Sequence, residues 1–171
     1  MNAAEQAKSV DAASKIAAVV THFKAEFPDA RSDLKPWAND QETRSLVDPD
    51  SIDIGFHMPG YSRRLQGRSL LVQIRFYSDE SSTSLFEPDS DRRRAIGLEI
   101  AGFDHRGKQW QLSTVDQWQV LGNSAPVPEL QEKLKRFCRQ ALALFNGQSG
   151  AEQFDTGQPD AGQHEDDTPN G

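Results

Sequence analysis

The chain has 171 residues, a formal net charge of −7 and a single cysteine. That length suits one domain with a sizeable core, and one cysteine excludes an internal disulfide. No apolar run approaches the roughly 20 residues of a membrane-spanning helix, since Lys15, His22 and Lys24 interrupt the longest helical candidate.

The acidity is concentrated at one end. Residues 147–171 hold six acids (Glu152, Asp155, Asp160, Glu165, Asp166, Asp167) and no Lys or Arg, whereas residues 51–146 hold eleven acids against thirteen bases. The body is nearly neutral, so the net charge says little about what its surface binds. The first twenty residues lack the basic region and continuous apolar stretch of a secretory signal. With the lone Cys138, this predicts a cytoplasmic protein without membrane insertion.

Residues 3–27 are predicted as one helix. Ile16, Val19, Val20, Phe23 and Phe27 share a stripe, and Pro28 ends it because proline lacks an amide hydrogen and restricts the residue before it. Residues 29–51 read as an irregular connection pinned by Leu34, Trp37, Leu46 and Val47, with a short helix at 40–47.

Apolar residues then fall at every second position in four segments: Ile52-Ile54-Phe56-Met58, Leu70-Val72-Ile74-Phe76, Ile96-Leu98-Ile100 and Trp110-Leu112. A period of two gives each strand one buried and one solvated face. Pro59-Gly60 is expected to end the first strand, and the polar excursion 78–94 separates the second from the third. Gly107, within Asp104-His105-Arg106-Gly107-Lys108, is expected to close a hairpin between strands 95–103 and 109–115. Trp118 and Val120 suggest a fifth strand after a bulge at Asp116.

Pro126 and Pro128 open a second helix, carrying Leu130, Leu134, Phe137, Cys138, Ala141 and Phe145 at helical spacing, and Asn146-Gly147 stops it. Residues 148–171, rich in Gly, Gln, Asp and Pro, are expected to be disordered.

The expected fold is therefore α+β in two layers: an antiparallel sheet of four to five strands with the N-terminal and C-terminal helices on one face. Residues 1–146 form the domain and 147–171 an acidic tail. Phe56, Ile74 and Leu98 are expected to be among the costliest side chains to truncate.

No HxH, HExxH, CxxC, GxSxG, Walker or dinucleotide pattern occurs, so no catalytic residue, metal or cofactor is predicted. Cys138 reads as a small core hydrophobe. His57 is the best acid–base candidate because imidazole titrates near neutrality, although its plain reading is a solvated strand histidine; His105 adjoins a turn. Two surfaces remain as binding candidates. One is the polar sheet face, with Asp53, His57, Gln73, Arg75, Tyr77, Glu99, Gln109 and Gln111. The other is a basic set, Arg63, Arg64, Arg68, Arg92, Arg93 and Arg94, able to pair with phosphates or carboxylates if the ends of strands two and three adjoin, and screened by the acidic tail.

A non-enzymatic protein-binding or assembly-factor role is the expectation, with an unidentified protein partner. A small enzyme using His57 or His105 with carboxylates, and a weak nucleic-acid or anion binder using the arginines, are the alternatives. Nucleic acid is disfavoured by acids interleaved among the bases and by the lack of an RNP-like aromatic motif. Homodimerisation is expected through a strand edge or through Leu142 and Leu144.

Overall fold

The computed structural model describes residues 1–37, 47–77 and 94–147. The expected helix at 40–47, the excursion 78–93 with Arg92 and Arg93, and the tail from 148 lie almost wholly outside the described residues. Among the described residues the elements are α1 (Ala3–Gln6), α2 (Val10–Glu26), β1 (Arg31–Asp33), β2 (Ser51–Ser62), β3 (Gly67–Tyr77), β4 (Arg94–Asp104), β5 (Gly107–Ser113), β6 (Val120–Gly122) and α3 (Pro128–Phe145). The strands form one antiparallel sheet in sequential order β1-β2-β3-β4-β5-β6. The α+β class is as expected, with six strands instead of four or five. No described helix is long and apolar enough to cross a membrane.

The inner face of the sheet carries Ile52, Ile54, Phe56, Leu70, Val72, Ile74, Leu98, Ile100, Trp110 and Leu112, which join Ile16, Val19 and Phe23 of α2 and Leu134, Phe137, Cys138 and Ala141 of α3 in one core. Phe23 is the hinge of this packing. Its ring stacks on Phe56 at 3.8 Å and on Phe27 at 4.9 Å, and meets Phe137 edge-on at 5.1 Å. At the other end Phe145 meets Phe76 at 5.3 Å. On the surface Arg136 donates two hydrogen bonds to Glu26, at 2.6 and 2.8 Å, tying α3 to α2; the Arg136 guanidinium holds the Glu26 carboxyl below its usual range. Leu142 and Leu144, expected at a dimer interface, are partly buried against this core.

Four expectations are corrected. The N-terminal helix is two, because Ser9 caps α2 by accepting a hydrogen bond from Ala12 N at 3.1 Å. Pro59-Gly60 does not end β2. They fall between the pairs His57↔Ser69 and Ser62↔Gly67, where the ladder is irregular and the missing proline N–H costs no bond. The turn comes at residues 63–66, with Gln66 at φ 55°. Ile96 leaves the inner face: Arg75 pairs Gly97 and Phe76 pairs Ala95, so Ile96 is bulged and 56% exposed while Ala95 is buried. The bulge at Asp116 is instead a tight turn, with Gln117 and Trp118 at φ 54° and 59°, leading into β6.

The hairpin of β4 and β5 forms as expected, with Asp104 paired to Gly107 at φ 101°, and Gly147 at φ 71° follows α3. Gly102 is set by packing: a Cβ there would lie 2.3 Å from Trp110 Cε2. The indole is held in place, since Nε1 donates to Leu65 O at 2.8 Å and only 1% of the residue is exposed. Gly102→Ala is expected to cost about 1–3 kcal/mol, because a buried ring must move to admit the methyl group; chemical denaturation of the two proteins measures it.

Candidate functional site

The two long helices, α2 and α3, lie against the inner face, so the outer face is what the fold leaves for contacts. Its residues align in rows across the strands. One row reads Arg31, His57, Ser69, Phe103, Lys108, and the next Asp33, Gly55, Leu71, Ala101, Gln111, Leu121. A third holds Asp53, Gln73, Glu99 and Ser113.

The third row shows that the face is not uniformly open. Asp53, expected to be presented to partners, is fully buried. Its Oδ2 accepts from the Met1 amine at 2.7 Å and from Trp37 Nε1 at 2.5 Å, and its Oδ1 from Ser51 Oγ at 2.7 Å and Gln73 Nε2 at 3.4 Å. Asn2 bridges to Asp53 along the β2 edge, Asp53 N donates to Met1 O, and Pro36 lies over Gly55. The first two residues and 36–37 thus roof this part of β2. Asp53 is a structural carboxylate, and Gln73 is committed to it. Arg75 contacts Glu99 at 3.5 Å and Asp48 at 4.0 Å. Gln111 accepts from Lys108 at 2.9 Å. Tyr77 is 60% exposed.

Arg31, His57, Ser69 and Phe103 of the first row line an open cleft of about 1360 Å³ at one end of the face. The far part of β2 (Met58, Pro59, Gly60, Tyr61) and Gln66 and Arg68 bound it on one side, the β4–β5 turn (Asp104, His105, Arg106) on another, and Asp29 and Arg31 on a third. It thus joins His57, His105 and Arg68 with Arg31 and Arg106, which had no sequence signal as site residues. Neither Arg31, Arg68 nor Arg106 has a carboxylate partner among the described residues, whereas Arg64, Arg75 and Arg136 each do. Arg106 Nε lies 3.4 Å from His105 Nε2. Of the lining acids, Asp104 is occupied by its own hairpin: Oδ1 accepts from Arg106 N at 2.7 Å and Gln109 Nε2 at 2.9 Å.

On the cleft floor His57 Nδ1 is 2.9 Å from Ser69 Oγ and Nε2 is 3.5 Å from Asp33 Oδ2. The carboxylate beside His57 is therefore Asp33, brought in by β1, and not Asp53 or Glu99. A serine, an imidazole and a carboxylate in series can pass a proton. No set of three or more His, Cys, Asp or Glu among the described residues could hold a metal ion. The Cys138 thiol is pushed up to about 12 by burial, which leaves it without nucleophilic character.

The basic set is divided. Arg64 pairs with Glu129 at the start of α3, next to the 63–66 turn. Arg94 lies opposite Tyr77 at the other end of β3, roughly 30 Å along the strand from Arg68 at about 3.3 Å per residue. These ends do not adjoin, so Arg64, Arg68 and Arg94 form no single patch.

A family model described as a domain of unknown function matches residues 4–147. The chain belongs to this family. The match contains every described strand, α2, α3 and all but the first residue of α1, and ends with the glycine that follows α3. No curated protein and no solved structure matches the chain.

Proposed function

We propose that residues 1–146 act as a non-enzymatic binding domain of the adaptor or assembly-factor kind, docking a protein partner on the outer face of the sheet. The observation that carries this reading is the cleft over Arg31, His57, Ser69 and Phe103. It is a concave, mixed polar and apolar surface on the face that neither α2 nor α3 covers, and its arginines have no carboxylate partner among the described residues. Tyr61, 51% exposed, lines it, and Leu121, 59% exposed, stands in the neighbouring row beside Gln111, both adding apolar surface of the type that protein contacts bury. A cytoplasmic setting is part of the proposal.

A photo-crosslinking side chain placed at Tyr61 or Leu121, and as a control at the exposed Gln140 of α3, tests it. Adducts of one discrete mass from the first two positions and none from the third are expected. Equal labelling from all three overturns the reading. Ester hydrolysis abolished by Ser69→Ala overturns it differently, because the Ser69, His57 and Asp33 series would then be a working nucleophile and base.

A further inference from the structure

Resting on the docking role proposed above, we infer that the cleft receives an extended, carboxylate-rich peptide segment of a partner protein, whose acidic side chains pair with Arg31, Arg68 and Arg106. Charge is the first reason. Three guanidinium groups and two imidazoles line the cleft against two aspartates, and one of those aspartates is tied into the β4–β5 turn. A planar guanidinium matches a carboxylate through two parallel hydrogen bonds, so each of these arginines, without a carboxylate partner among the described residues, is a ready site for one acidic side chain.

Size is the second reason. A volume of about 1360 Å³ exceeds the ~300–1,000 Å³ usual for a small-molecule pocket and suits several residues of chain. The arginines stand on β1, on β3 and in the β4–β5 turn, so one small anion cannot engage all three. Met58, Pro59 and Phe103 between them offer apolar contact to the uncharged residues of such a segment.

Phosphate ligands fit less well. None of the lining residues opens a helix, so the backbone-amide cradle that commonly holds a phosphate is missing. Asp29 and Asp104 on the rim, with Asp33 beside His57, would repel a continuous phosphodiester backbone, whereas a peptide can place its carboxylates away from them.

The test uses the full chain and a fluorescein-labelled eight-residue oligoglutamate, read by fluorescence anisotropy at low salt. Saturable binding is expected, weakening as salt is raised. It should fall by about tenfold or more in Arg31→Gln/Arg68→Gln/Arg106→Gln, where three charge-assisted contacts are lost. Arg94→Gln, an exposed arginine at the far end of β3, should bind like the parent, and Arg68→Gln alone should give an intermediate loss. All these arginines are exposed, and matching thermal melts confirm that the variants fold. Absence of binding, an equal loss in Arg94→Gln, or tighter binding of oligothymidylate or ATP than of oligoglutamate overturns the inference. If oligoglutamate fails while the crosslinks from Tyr61 and Leu121 persist, the acidic chemistry is wrong and the docking role stands; if both fail, both are wrong.

Discussion

Phe56→Ala is expected to lower the unfolding free energy by about 3–5 kcal/mol, in the range for truncating a buried phenylalanine, measured by urea denaturation. The ring is fully buried in the middle of β2 and stacks on Phe23 at 3.8 Å. Phe23 in turn touches Phe27 and Phe137. Removing Phe56 therefore takes the support from a cluster that joins the sheet to both long helices, and the loss includes a cavity term because rings fixed by three neighbours collapse poorly. A loss below about 1 kcal/mol, typical of a site near the surface, would show that the cluster is not the centre of the core.

Asp53→Ala is the second large effect, expected at about 2–4 kcal/mol. Breaking a buried ion pair from one side commonly costs ~3–5 kcal/mol. The Met1 side keeps 28% exposure, so water recovers part of that. Besides the amine, the change strands Trp37 Nε1 and Gln73 Nε2, each of which loses its acceptor in or near a buried setting, while Ser51 Oγ keeps Asp48 O as an acceptor at 3.0 Å. Asp53→Asn, which keeps an acceptor oxygen but no charge, should lie between. Thermal melts at neutral pH rank the three proteins, and an alanine variant as stable as the parent would mean that the roof of residues 1–2 and 36–37 does not depend on this carboxylate.

Asp53 also shows where the sequence stops being informative. Alternation placed Ile52, Ile54, Phe56, Val72, Ile74 and Leu112 on the inner face correctly, because a two-residue period is a local property of the strand. The same alternation put Asp53 on the outer face and implied exposure. Its burial comes from Met1, 52 positions earlier, and Trp37, 16 positions earlier, which no local pattern encodes. Strand β1 was illegible for a related reason: Arg31-Ser32-Asp33 has no apolar residue, and its pairing depends on the free edge of β2. With β1 unseen, neither Asp33 beside His57 nor Arg31 on the cleft could be found. Ser9, by contrast, was a usable signal, since serine is a favoured helix cap and it divides the N-terminal helix. Ile96 was misassigned because a one-residue bulge leaves no trace in an otherwise regular alternation. His57, His105 and Arg68 were legible as residues with chemistry, but their meeting in one cleft follows from the sheet register.

The depth of Cys138 gives the protein a built-in clock. Its sulfur lies on the buried face of α3 within the core, out of contact with solvent, and the chain has no other thiol. An alkylating reagent can reach it only in molecules whose C-terminal helix has momentarily lifted away, so the labelling rate reports how often that layer opens, with no dye or engineered tag attached.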